Sequence, residues 1–369
     1  MQTQMRIGFD VSSLCMTSSG VGTYVSSLFD ALQATGDDTF IPLAHCSMRS
    51  IPILTARGRK LNKTVWMQAI LPFLLGKLDM DVCHFTNSVA PAWMPSPSVI
   101  TIHDMTLWLY PQYHTYSRLA AMRPIIPLAA RRADAVIAVS GNTKQDIQDI
   151  LHIPAEKIHV IYEAAAPHFK PVTDPREIEA VRCQMNLPER FILYVGNVEP
   201  RKNIERLIRA ISRIETRAAE PISLVVVGSL AWGYQGVLKA IEEEGLQDRV
   251  RFLGYVDARS LVALYSMCEV FVYPSLYEGF GLPILEAMAC GAPVITSPRG
   301  SLREIAGDGA TYIDPFRVDD IAEALCELLI SPALRDSLRE RGFARTARFT
   351  WDKAARQTLE LYRNIESSR

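Results

Sequence analysis

Neither sign of charge dominates this chain of 369 residues: 39 Lys and Arg stand against 40 Asp and Glu, for a net charge of −1. An obligatory nucleic-acid partner would call for a basic excess, which is missing. Cysteine is scarce and scattered. The seven, at 15, 46, 83, 183, 268, 290 and 326, are odd in number and never spaced C-x-x-C. They predict free thiols in a reducing cytosol, not a disulfide framework or a zinc site. No apolar run approaches the roughly 20 residues that cross a bilayer. The opening MQTQMRIGFDVSS enters a strand-like run at once and has no signal-peptide pattern. Histidine is absent beyond His168, all seven lying between His45 and His168, which points to two halves with different chemistry. Neither half has a full G-x-G-x-x-G with its following acid, which argues against a dinucleotide-dependent oxidoreductase.

What is present is a steady alternation of strand-like and helical runs. The first half offers strands at Met5–Val11, Thr39–Ala44, Val82–Phe85, Val99–Ile102, Ala135–Val139 and Lys157–Tyr162. The second restarts with Phe191–Val195, Leu224–Val227, Val250–Phe252, Glu269–Tyr273, Val294–Thr296 and Thr311–Ile313. Between the halves, Glu163–Pro175 carries three prolines and reads as the hinge. Such a plan predicts two α/β domains, each built on a parallel sheet. Domain limits of 1–168 and 169–350 follow.

The stretch YPSLYEGFGLPILEAMACGAPVITSP, residues 273–298, is the most informative. Its strand runs into Glu278, Gly279, Phe280, Gly281 and Leu282, and Pro283 marks a helix start that Gly291 ends. Glycines admit close backbone approach, and the helix start offers unpaired N–H groups to an anion. A bound anion would repel Glu278 and Glu286, so both should face neutral hydroxyls. A ligand with phosphate and polyol parts, such as a nucleotide sugar, suits both halves; a tight turn with two solvated glutamates is the plainer alternative. Gly196 ends another strand, and Arg201-Lys202 then precede a helix from Ile204. A cationic pair there opposes the helix dipole, a cost that favours phosphate binding over a solvated basic start.

In the first half, Gly20-Val21-Gly22 opens a helix after the first strand, as either a ligand loop or a plain turn. His103-Asp104 ends a strand where open α/β sheets keep ligands; the histidine could donate to a sugar hydroxyl, or the pair could satisfy one another. Asp79-Met80-Asp81 has the form of a metal-binding D-x-D, but two exposed helix-end aspartates fit its place better. Ser117–Arg132 is helical in period, with a basic and apolar face that suits an anionic membrane surface. Burial against the sheet explains the apolar residues equally well, and Pro124 and Pro127 argue against one continuous amphipathic helix. Ser140 suits the N-cap of a helix at Thr143–Leu151.

In this order, HDM (103–105), AVSGNTKQDI (138–147), YVGNVEPRKN (194–203), VVVG (225–228), RFLGYV (251–256) and the 273–297 stretch resemble the retaining glycosyltransferases of family 4. That family has the GT-B fold, two Rossmann-like domains facing across a cleft. The resemblance implies that a C-terminal helix, 351–369, packs back on the first domain. It gives Arg201 and Lys202 the donor diphosphate, Glu286 the ribose hydroxyls and Glu278 the donor hexose. Gly279, Phe280, Gly281 and Leu282 are the backbone approaching sugar and phosphate, and Gly196 belongs to the donor loop. Gly22 lies near diphosphate and acceptor, His103 contacts the hexose, and Gly254, Tyr255 and Val256 lie beside the nucleobase. His103, Glu278, Arg201 and Lys202 would carry catalysis. Gly196-Asn197 stands where many relatives have Gly-Arg, and Glu163-Ala164-Ala165-Ala166 departs from their Asn-Gly-Val turn.

The details look most like bacterial mannosyltransferases that build surface polysaccharides from GDP-mannose. The implied reaction moves mannose onto a sugar hydroxyl of a glycan or lipid-linked oligosaccharide, in the cytoplasm or peripherally on the inner face of the cell membrane. No metal or other cofactor is expected. The alternatives are a UDP-sugar such as UDP-glucose as donor, or a non-catalytic nucleotide-sugar-binding protein. Acceptor choice would rest on loops Ser12–Ser19 and Arg49–Lys63.

Overall fold

The computed structural model describes residues 4–15, 20–36, 38–45, 65–214 and 222–367. The chain divides into two compact units. One joins Met1–Glu163 to Thr350–Arg369; the other is Ala164–Phe349. Residues 164–168 go with the second unit because Ala166 and Phe169 are buried in its core.

Each unit holds a six-stranded parallel sheet, and the twelve strands fall on the runs read from the sequence. In the first they are β1 (Arg6–Asp10), β2 (Thr39–Leu43), β3 (Val82–Phe85), β4 (Ser98–Ile102), β5 (Ala135–Ala138) and β6 (Ile158–Val160), in the order β2-β1-β3-β4-β5-β6. The second has β7 (Phe191–Val195), β8 (Ser223–Val227), β9 (Val250–Gly254), β10 (Val270–Tyr273), β11 (Val294–Thr296) and β12 (Ala310–Tyr312), in the order β12-β11-β10-β7-β8-β9. Strands buried on both faces need no alternation: β3, β4, β5, β7 and β10 are buried at every position, and apart from His84 in β3 and Ser98 in β4 they read as unbroken apolar or β-branched runs.

The helix Trp351–Ser367 completes the first unit. Tyr362, fully buried, meets Nδ1 of His84 at 2.5 Å, and His84 Nε2 meets Thr101 Oγ1 at 2.7 Å. Thr101 in turn lies 3.0 Å from the Tyr24 hydroxyl. Burial, then the nearby charge of His103, pushes the His84 imidazole down to about 3, so it stays neutral.

Three expectations need revision. Tyr116–Arg132 is one continuous helix despite Pro124 and Pro127. Thr115 caps its start, Ile126, Ala129 and Ala130 are buried, and Arg123 ties it to the Leu107 carbonyl through Nε at 3.1 Å and a terminal nitrogen at 2.8 Å. Those anchors outweigh the N–H donors that proline removes. Arg131 and Arg132 likewise donate to the carbonyls of Leu151 and Ala92, so much of the basic face is turned onto the chain itself. Second, Cys83, Cys183, Cys268, Cys290 and Cys326 are free, but Cys15 is disulfide-bonded. Cys46 is among the residues not described. Spacing along a chain carries no record of distance across a fold, so a remote bridge leaves no sign in it. Third, Asp104 does not satisfy His103: its Oδ1 accepts from the Thr106 amide and hydroxyl at 2.9 and 2.6 Å, a local turn that short acidic side chains form readily.

Asp79 is a left-handed helix C-cap, and Asp81 Oδ2 accepts from the Arg6 amide at 2.6 Å. Among the described residues, no group of three or more His, Cys, Asp or Glu side chains could hold a metal ion, and no helix is long and apolar enough to cross a membrane.

Candidate active site

Read from its far edge, the second sheet runs β9-β8-β7-β10-β11-β12, so the chain reverses direction across the sheet between β7 and β10. Open α/β sheets take ligands at such a switch point, beyond the carboxyl ends of the strands. The loops leaving β7 and β10 meet there. The Leu276 amide donates to the Arg201 carbonyl at 2.9 Å, and Asn203 Nδ2 to the Pro274 carbonyl at 3.1 Å.

This crossing brings the predicted cations and one predicted carboxylate into direct contact. Lys202 Nζ lies 2.7 Å from Glu278 Oε1, and Arg201 approaches the same oxygen at 3.1 Å. Lys202 also donates to the Tyr273 hydroxyl at 2.7 Å; Arg201 donates to the Tyr277 carbonyl at 2.5 Å and pairs with Glu199 at 2.7 Å. Lys202 and Glu278 are both buried. Burial alone would raise the Glu278 carboxyl, but Arg201 and Lys202 outweigh it and hold it down to about 2. Glu278 is thus the shared partner of both cations, a contact the sequence did not announce. The sequence hid this because 76 residues separate Lys202 from Glu278.

The loop from Glu278 to Gly281 enters the helix Leu282–Ala289. Gly281, at φ 103°, has no side chain to cap the first amides, and an added Cβ would lie 2.8 Å from Leu302. Phe280 is buried and packs edge-on against Phe349. Glu286, also buried, accepts from the Tyr265 hydroxyl at 3.1 Å. Gly196 follows β7, and its amide donates to the Val227 carbonyl at 2.8 Å; Gly254 closes β9 and accepts from the Gly228 amide at 2.8 Å. Beyond it, Tyr255 is 71% exposed and Val256 buried.

Sequence reasoning missed the clamp on this loop. The Ser301 hydroxyl donates to the carbonyls of Glu278 and Phe280 at 3.0 and 2.7 Å, and its amide to the Glu278 carbonyl at 3.1 Å. Gly300, at φ 58°, makes the approach possible: a Cβ there would fall 2.4 Å from the Glu278 carbonyl oxygen.

In the first unit, Gly22 lies in the first turn of the helix Gly20–Ala34, and its carbonyl accepts from Ser26 at 3.1 Å. His103 follows β4. Its Nδ1 stands 3.1 Å from Glu163 Oε1, and its Nε2 donates to the Thr86 carbonyl at 2.9 Å. Glu163 was read only as the start of the hinge. Of the acceptor loops, Ser12–Cys15 is a 3-10 turn, and residues 16–19 and 49–63 lie outside the described residues.

Residues 18–165 match the family model described as Glycosyltransferase Family 4, and residues 176–345 match that of Glycosyl transferases group 1. "O-antigen chain mannosyltransferase B" of Escherichia coli is 34% identical over 269 residues, covering 72% of this chain and 70% of that protein. This chain belongs to glycosyltransferase family 4. A second relative of this glycosyltransferase, "Serotype-specific mannosyltransferase WbdA" of Escherichia coli, is 33% identical over 242 residues, 64% of this chain; the match spans only 30% of WbdA. Among solved structures, sucrose-phosphate synthase from Thermosynechococcus elongatus superposes with a TM-score of 0.78 at 23% identity, over 99% of this chain and 100% of that one. The fold is GT-B.

Proposed function

We propose that this glycosyltransferase moves mannose, with retention of configuration, from GDP-mannose to a sugar hydroxyl of a glycan or lipid-linked oligosaccharide. The observation that carries the reading is Glu278 held between Arg201 and Lys202 at the switch point of the second sheet. Two cations beside an uncapped helix start suit a diphosphate, and buried carboxylates suit the hydroxyls of ribose and hexose. The likeness to two Escherichia coli mannosyltransferases supports mannose as the sugar.

A carboxyl held down to about 2 is a weak base and a weak nucleophile. In this reading Glu278 therefore holds the hexose and does not attack it. The bond from the anomeric carbon to the diphosphate oxygen breaks, and the acceptor oxygen bonds to that carbon on the same face. The acceptor proton passes to a donor phosphate oxygen, while Arg201 and Lys202 stabilise the departing diphosphate. Glu286 takes the ribose, His103 contacts the hexose, and the 254–256 loop lies beside the base. No metal takes part. The chain works in the cytoplasm.

The deciding experiment offers GDP-mannose and UDP-glucose in parallel and reads the anomeric configuration of the product by NMR. Turnover of GDP-mannose to an α-mannoside is expected. Turnover of UDP-glucose alone, an inverted product, or a glycosyl-Glu278 adduct trapped by mass spectrometry would overturn the reading.

A further inference from the structure

His103 and Glu163 form a histidine–carboxylate pair, with Nδ1 3.1 Å from Oε1. Nε2 faces the Thr86 carbonyl, which can only accept, so that nitrogen carries a proton. Nδ1 faces a carboxylate oxygen, which also accepts, so it carries one too. Exposure is unequal across the pair: the histidine side chain keeps 15% and the glutamate 4%. Glu163 thus stands behind the ring, and a ligand at the carboxyl end of β4 meets His103 first.

We propose that Glu163 is a positioning residue of the transfer reaction, fixing His103 against the Thr86 carbonyl as a doubly protonated cation at the end of β4. The proposal rests on the reading that His103 contacts the transferred sugar. A free histidine would be mostly neutral at pH 7 and could turn about its side-chain bonds. This one is held at both nitrogens, and the Tyr24 ring stands edge-on to it at 4.8 Å. A buried ion pair that did nothing but stabilise the fold would be a poor investment beside apolar packing, because both charges must be stripped of water. A charged donor held in one orientation against the transferred sugar keeps that contact aligned while the bond to the leaving group breaks.

The surroundings agree. Burial works against the charged ring, but the Glu163 hydrogen bond and charge, the Thr86 carbonyl and the Asp104 charge together raise its affinity for the proton. Asp104 is held apart by its bonds to Thr106. His84 is neutral, and the Tyr24 hydroxyl is raised above its ordinary range by burial, so neither adds a charge. Glu163 is also the last residue of the first unit before the chain crosses to the second. The sequence placed it in a hinge, and its side chain belongs to the site.

The test compares the full-length protein with Glu163→Gln and Glu163→Asp. Glutamine keeps an oxygen for Nδ1–H but removes the charge; aspartate restores the charge on a shorter arm. The His103 imidazole is titrated by NMR with no donor present, using His103→Asn to assign its signal, and kcat and KM are followed against pH with whichever donor turns over. Glu163→Gln should make His103 lose its proton at lower pH, and should lower kcat at pH 8 about tenfold or more with little change in the donor KM. Aspartate should recover much of both. An unchanged His103 titration in Glu163→Gln overturns the proposal, and so does a lowered titration with an unchanged kcat profile. Failure of GDP-mannose as donor would leave the NMR result standing, so the two readings fail separately.

Discussion

Lys202 Nζ and Glu278 Oε1 stand 2.7 Å apart, joining the loops that leave β7 and β10. Lys202 is buried, and its ammonium also meets the Tyr273 hydroxyl. Replacing it with alanine leaves Arg201 as the remaining cation on Glu278. Lys202→Ala should weaken donor binding by about 1.5–3 kcal/mol, the range of a charged hydrogen bond. Calorimetry with GDP and with GDP-mannose would measure it. An unchanged affinity would remove Lys202 from the donor site.

Acid should act on the same pair. The Glu278 carboxyl is lowered from 4.5 to about 2. A depressed carboxyl contributes stability that is present above its unfolded value and lost as pH falls through the folded one. The contribution of Glu278 should therefore drain away between about pH 4.5 and 2. Urea midpoints taken across that window should fall more steeply for the natural protein than for Glu278→Gln. Parallel slopes would show that the Glu278 carboxyl is not depressed in the folded protein.

Gly300→Ala should disturb Glu278 without touching its side chain. The new Cβ would meet the Glu278 carbonyl oxygen at 2.4 Å, and φ 58° is itself strained for alanine. Gly245 provides the control, since it has φ 67° and open space around an added Cβ. Gly245→Ala should cost about 1–2 kcal/mol from backbone strain alone. Gly300→Ala should cost more in thermal unfolding and should also raise the donor KM. Equal costs, with KM unmoved, would mean that the clamp does not position Glu278.

Asp81 should matter to the fold and not to chemistry. Its Oδ2 accepts from the Arg6 amide, and its amide donates to the Arg6 carbonyl at 2.9 Å, closing the start of the β1–β3 ladder. Asp81→Ala should lower the unfolding temperature by removing that acceptor, at about 0.5–1.5 kcal/mol, since the Arg6 amide is open to water. Activity of the natural protein should survive a chelator. Loss with chelator and recovery with magnesium would give the D-x-D pair a metal role after all.

Local chemistry is what the sequence displayed well. Strands buried on both faces appear as short apolar runs, and the Ser140 and Pro283 helix starts appear as residues with one favoured position. Residues that meet across the sheet were less visible. The order β10-β7-β8 joins Arg201-Lys202 to Glu278, and no local pattern reports strand order. Glu163 was hidden for a similar reason, since a prolyl segment after β6 looks like a linker whether or not its first side chain turns inward to His103. Pro124 and Pro127 misled because their local cost was overruled by anchors on distant residues, Arg123 to Leu107 among them.

The helix Trp351–Ser367 has a consequence for synthesis. Domains fold as units while the chain is still emerging from the ribosome. His84 gains its Tyr362 partner, and Tyr24 its contact with Trp351, only after nearly the whole chain has been made. Residues 164–349 are complete just before that. The unit begun first is thus the last to be finished, and a nascent chain halted before Trp351 would carry one sealed sheet and one with its polar seam still open.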